Sequence, residues 1–332
     1  MENVALALTG NDSLEANHVK IEETCKPRRI GKIDIDTPLL VPSFSSVAFE
    51  KIREIHEKLR DYLFNASLVG AYDLFYNKID QKRIWVSDTV FVDSGTFEKR
   101  NLPSKKKWSS SKCANVFDAL AADTPVSKVV IVNYDQIETL KRQVLNAKKL
   151  FSKHPDFATC FLCKPTKPKN SIEVVDLVRK ITLVEPFNIL GFAEKELGNS
   201  FLQRCKNLLR IRSALNEKKL EIPIHIFGCL DPLGIISYFI CGADIFDGLS
   251  WLKYGFDDNV AVYINNSAIL KGDWSQSDSS VNISAFAQNL KQLTHLMHCM
   301  RRFAQEYKWD YLELGEKSLR QVKALTGTAG VQ

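Results

Sequence analysis

Three aspartates stand where apolar runs stop: Asp93 in FVDSGTF, Asp135 in VNYDQ and Asp247 in IFDG. A lone aspartate in such a place is more often a helix N-cap than a catalyst, because its carboxylate accepts from the free N–H groups of a first turn. That reading suits Asp135, which precedes a helix-patterned stretch. It suits Asp93 less, since Ser94, Gly95 and Thr96 follow and supply turn and cap chemistry themselves. Two carboxylates facing one site can divide the duties of nucleophile and acid/base. Retaining glycoside hydrolysis works this way, with carboxyls about 5–5.5 Å apart. The residues alone therefore point to chemistry at a glycosidic carbon and leave the glycoside open.

Short apolar runs must position these acids. Strands are expected over Pro38–Pro42, Ala66–Gly70, Thr89–Val92, Lys128–Asn133, Ala158–Leu162, Phe187–Gly191, Ile222–Phe227 and Ala243–Phe246. Helical patterns such as Asp135–Phe151 and Leu197–Leu215 lie between them, and a long helix, Ser284–Tyr307, closes the chain. Eight βα units imply a (β/α)8 TIM barrel, an α/β fold of parallel strands, with a doubly wound open sheet as the competitor. Residues 1–30 read as an N-terminal arm, 31–310 as one barrel domain and 311–332 as a tail that frays after Arg320. In such a barrel chemistry sits at the strand ends, which here carry Asp93, Asp135, Lys164, Glu194, Gly228 and Asp247.

Composition agrees with a globular chain. Of 332 residues, 45% are hydrophobic and 25% charged, which permits a large core. No apolar run reaches bilayer length, and no basic start with an apolar core and cleavage site opens the chain, so a cytoplasmic protein is expected. The eight cysteines are scattered rather than spaced as a disulfide framework. Neither a Walker loop nor a GxGxxG is present.

In order and register, IDTPLLVPSFSSV (35–47), VGAYDLFY (69–76), DSGTF (93–97), NILGFAEKELG (188–198) and PIHIFGCLDP with GADIFDGLSWL (223–252) resemble the tRNA-guanine transglycosylase superfamily. The likeness spans roughly residues 30 to 310. YDLFY, EKELG, IFDGLSWL and the closing NLKQLTHLMHCMRRFA lean towards its DNA-modifying branch, the DNA 7-deazaguanine transglycosylases. The resemblance implies a pentosyltransferase that exchanges guanine in nucleic acid for a 7-deazaguanine such as 7-cyano-7-deazaguanine (preQ0). By position, Asp247 resembles the nucleophile that attacks C1′, and Asp93 the acid/base. Asp135 matches the carboxylate that holds the amidine edge of the base. Phe97 and Phe227 match the two faces of a base sandwich, with Ser94, Gly191 and Gly228 around the base. No cofactor is implied. The partners are DNA, favoured, or tRNA, together with the free base, and helper proteins could present the DNA.

The chain also departs from that pattern. The tRNA-acting members carry a structural zinc on CxCxxC and a distant histidine, whereas residues 253–290 hold no cysteine. His295 or His298 falls near the place of that histidine without its partners, so no metal is expected. Cys160 and Cys163 lie three apart on a strand, where side chains point to opposite faces and cannot share one ion. Where the tRNA enzymes have a glutamine after the fifth strand, this chain has Cys163-Lys164.

Charge supplies the last signal. Lys99–Lys112 holds six basic and no acidic residues, and Lys164, Lys167 and Lys169 form a second cluster. A charge run is usually a solvated loop. Two runs on the rim that carries the aspartates favour phosphate contacts from Lys99, Arg100, Lys105, Lys106, Lys107, Lys164 and Lys167. Trp108 could stack on a base or begin a helix in the core. Three other readings remain beside DNA transglycosylation: a zinc-less tRNA enzyme, a non-catalytic binding homologue, and a glycoside hydrolase.

Overall fold

The structure, a computed structural model, describes residues 20–330 except 64, 103–106, 124–127, 169 and 273. Eight strands, β1 (Leu39–Phe44), β2 (Ala66–Gly70), β3 (Thr89–Asp93), β4 (Val129–Val132), β5 (Ala158–Cys163), β6 (Ile189–Ala193), β7 (Ile224–Phe227) and β8 (Ile245–Gly248), close into one parallel barrel. The closing pair is β8 with β1, which sets Ile245 opposite Leu39 and Asp247 opposite Val41. An open doubly wound sheet is thereby excluded. Strand after strand is buried on both faces, since one face fills the barrel and the other meets helices. This is why the strands read as continuous apolar runs rather than as alternating ones.

Each expected strand is present, with ends shifted by a few residues. Several helices begin elsewhere than the periodicity suggests. The helix expected from Asp135 spans Leu140–Phe151 after Thr139, so Asp135 lies in irregular chain and caps nothing. The helix expected over Leu197–Leu215 spans Phe201–Glu217, started by Ser200, whose side chain accepts from Gln203 N at 3.1 Å. The closing helix covers Asp278–Glu306, capped by Ser277 and ended by Tyr307 in the left-handed region.

Two boundaries need correction. The tail expected to fray is a helix, Glu316–Ala329, packed on Phe201–Glu217 and Pro232–Ile240. Val322 and Thr326, four apart, bury one of its faces. At the other end, residues 20–30 of the arm are part of the folded body. Cys25 and Arg28 are buried, and Arg29–Ile30 pairs antiparallel with Ile35–Asp36. All eight cysteines are buried and unpaired, as free thiols in a core behave. Among the described residues no helix is long and apolar enough to cross a membrane.

Candidate active site at the barrel mouth

One turn after β3 sets two of the three aspartates. Asp93 ends the strand and Gly95 follows in the left-handed region, at φ 74°. A Cβ on Gly95 would lie 2.5 Å from the backbone nitrogen of Tyr72, so both conformation and space demand glycine. The Ser94 hydroxyl donates to Asp135 Oδ1 at 2.8 Å and accepts from Thr96 N at 3.3 Å. Ser94, expected against the substrate, thus orients Asp135. Behind the turn, buried Trp108 donates from Nε1 to the Ser94 carbonyl at 3.0 Å, which makes it a core residue rather than a stacking platform.

Asp247 is held from both sides. Ser43 of β1 donates to its Oδ2 at 2.7 Å, and His225 Nε2 of β7 lies 3.1 Å from its Oδ1. A carboxylate oxygen only accepts, so the imidazole presents its Nε2 proton there. His225 is fully buried, meets Phe91 edge-on and stacks on Phe227 with centroids 3.9 Å apart. Residues two apart on a strand share a face, and His225 and Phe227 follow that rule. One face of Phe227 is therefore already covered.

Burial pushes the Asp93 carboxyl up to about 7, with the charges of Asp135 and then Asp247 adding to the shift. Its Oδ1 is buried without a partner. A second row of acids stands behind it. Burial, then Asp73 and Asp93, pushes Glu98 up to about 8, and Glu98 accepts from the Ser45 hydroxyl. Asp73, itself raised by burial, accepts from Ser46 N and Oγ. Carboxyls so placed favour the protonated form, because each ionisation would add a charge to a dry and already negative neighbourhood.

Around Asp135 the charges are mixed. Its Oδ2 lies 3.9 Å from Arg100 and 3.6 Å from Lys164 Nζ, which also reaches Glu196 Oε1 at 2.6 Å. Lys164 is expected on the exposed rim, but its side chain is only 5% exposed. It belongs to the interior of the mouth, and its carboxylate partners occupy the charge that a phosphate would need. Lys99, Arg100, Lys107 and Lys167 are exposed, while Lys105, Lys106 and Lys169 lie outside the described residues. Phe97 is exposed at the start of the helix Thr96–Asn101. Gly191 makes room for Phe227, since a Cβ there would come 2.6 Å from the Phe227 ring, and Gly228 takes φ 84° in open space. Glu194 is engaged by the Tyr238 hydroxyl and Arg204.

The two strand cysteines have separate surroundings, as alternation requires. Burial raises both thiols, and beyond it the Cys160 thiol feels Asp93 and Asp247, and the Cys163 thiol Glu196, Glu173 and Lys164. Sequence reasoning missed Ser43, His225, Glu98 and Glu196. A signal existed for the first two, as polar residues interrupting LLVPSF and IHIF within otherwise apolar strands. No protein-family model and no curated protein matches the chain.

Proposed function

We propose that the protein is a transglycosylase that exchanges guanine in nucleic acid, DNA by preference, for a 7-deazaguanine base. One observation carries this reading. Two carboxyls on β3 and β8 share one mouth and feel each other's charge, yet their settings differ. Asp93 is pushed towards the protonated form, while Asp247 accepts hydrogen bonds on both oxygens. Such a division marks an acid/base and a nucleophile.

In the reaction an Asp247 oxygen attacks C1′ and the bond from C1′ to the guanine nitrogen breaks. The proton of Asp93 passes to the departing base, which otherwise leaves poorly. The covalent sugar–Asp247 ester splits one hard step into two. The incoming 7-deazaguanine gives its ring proton to Asp93, its nitrogen attacks C1′, and Asp247 is released. Ser43 and His225 each occupy one lone pair of Asp247 and leave another free. The swap consumes neither ATP nor a redox equivalent. A target base in a duplex has to be flipped out before Asp247 can reach it. Asp135, oriented by Ser94, is the acceptor for the amidine edge, and Phe97 and Phe227 are the stacking surfaces, a contribution of about 1–3 kcal/mol per base. DNA is favoured by the likeness of the YDLFY, EKELG and IFDGLSWL segments and by the missing cysteines after β8.

Incubation with labelled guanine and either DNA or tRNA tests the reading. Label entering DNA, with a protein–DNA adduct that survives denaturation, is the expected outcome. Label entering tRNA alone would replace DNA by tRNA, and label in neither would leave a binding homologue.

A further inference from the structure

Among the described residues, one trio of His, Cys and carboxylate side chains brings its ligand atoms within 4.8 Å of one another: His295, Cys299 and Glu313. None of the three lies at a strand end. We propose that this trio is a zinc-binding site, built across the closing helix and the turn that follows it. The inference is independent of the transglycosylase reading.

The geometry comes from three local facts. His295 and Cys299 are four apart on the helix Asp278–Glu306, so they project from one face. Tyr307 and Glu313 both adopt left-handed backbone, at φ 56° and 50°, and the chain between them folds back over the helix end. Asn259 holds that return by donating from Nδ2 to the Glu313 carbonyl at 3.2 Å. The Glu313 carboxylate then meets His295 Nε2 at 2.7 Å, and the Cys299 sulfur lies 3.5 Å from the same nitrogen.

Zinc chemistry fits these separations. With Zn–S about 2.3 Å and Zn–N about 2.0–2.1 Å, a tetrahedral site puts sulfur and nitrogen roughly 3.5 Å apart. The cysteine–histidine edge already has that length. The histidine–glutamate edge must open to about 3.3 Å, which the exposed side chains of His295 and Glu313 permit. Thiolate, imidazole and carboxylate together suit zinc better than magnesium or calcium, which prefer oxygen alone. Water completes the set as the fourth ligand.

A free thiol keeps its proton near neutral pH. Zinc displaces it, since a coordinating thiol is deprotonated outright. Arg302 is the opposing cation: it acts on both Cys299 and Glu313 while its guanidinium lies 4.2 Å over Tyr311. It weakens the site relative to an all-acidic surround without occupying a ligand position.

The test uses the full chain, stripped by a chelator, and Zn²⁺ titrated against a chromophoric competitor. One equivalent should bind, with release of a proton near neutral pH. His295→Ala, Cys299→Ser and Glu313→Gln should each weaken binding roughly tenfold or more. His298→Ala, on the same helix and exposed, should leave it unchanged. With Co²⁺ as the probe, wild type should show a sulfur-to-metal charge-transfer band that Cys299→Ser lacks. If the buried Cys299 variant fails to fold, the exposed His295 and Glu313 variants still decide the matter. No equivalent bound by wild type, or zinc kept by the triple variant, overturns the proposal.

Discussion

The two ends of β8 carry two aspartates three residues apart, and they live in opposite circumstances. Asp244, just before the strand, is buried between Arg28 and Arg212 at 2.8 and 2.6 Å, and also accepts from Ile224 N at 2.7 Å. Asp247, at the other end, has a hydroxyl and an imidazole for partners and a second acid in range. Saturation by two cations makes Asp244 a cornerstone of the lower barrel, where the arm, the helix Phe201–Glu217 and β8 meet. Burial there is severe enough to lower the Arg212 guanidinium to about 9. Asp247 keeps unused lone pairs and, among the described residues, has no lysine or arginine partner, which suits the nucleophile proposed. Identical side chains on one strand thus stand in different settings through their neighbours alone, one saturated by cations and the other suited to the nucleophile role proposed for it. The general rule for these barrels is the same: stability at the N-terminal face, catalysis at the C-terminal face.

Asp247→Ala should break the upper end most severely. Base exchange and the covalent adduct should fall by about 10⁴-fold or more, the scale seen when a nucleophile is removed. The fold should survive at a cost of about 1–3 kcal/mol for the unpaired Ser43 and His225, read from thermal or urea unfolding. A variant that still forms the adduct would remove Asp247 from its role.

The converse change is Asp244→Asn. Two buried arginines then lose their close carboxylate, Arg28 keeping only Glu221 at 3.9 Å, and deleting one member of a buried charge cluster costs about 3–5 kcal/mol. Exchange per folded molecule should stay close to that of wild type. An unchanged unfolding midpoint would show that Asp244 is not the cornerstone described.

Asp93→Asn tests the partner of Asp247. Adduct formation should drop by about 10³-fold while free base still binds, because the amide keeps the shape and loses the proton. In wild type, the single-turnover rate should be high below pH 7 and fall as pH rises through about 7, where the carboxyl loses its proton. A rate that climbs across that range would make another group the acid.

The smallest effect concerns the rim. Neutralising Lys105, Lys106 and Lys107 should weaken DNA binding across sequences, with the salt slope reduced by about 0.9 for each phosphate that is no longer neutralised. Lys164→Ala should leave that slope alone and impair base binding instead, because its amine serves Asp135 and Glu196. Equal slopes for wild type and the triple variant would return the run to a solvated loop.

Much of this molecule was legible in one dimension. Each of the eight strands announces itself as an apolar run of strand length, because a strand buried on both faces has no polar alternation to blur it. The strand-end aspartates were legible too, since an acid directly after such a run stands out. Helix starts were less so: the stretch after Asp135 has helical periodicity, yet the helix waits for Thr139, and periodicity says nothing about where a cap will form. The terminal helix was missed because two buried positions in a polar segment give almost no signal until a groove exists to receive them.

What the sequence determined by itself was the set of strands, their parallel order and the acids at their ends, all of which follow from local pattern. Closure of β8 on β1, the hold of His225 and Ser43 on Asp247, the inward turn of Lys164 and the meeting of His295 with Glu313 were decided only in three dimensions. The physical reason is common to them. Each depends on residues far apart in the chain, and the free energy of a charge or hydrogen bond is set by what surrounds it, which no local window contains.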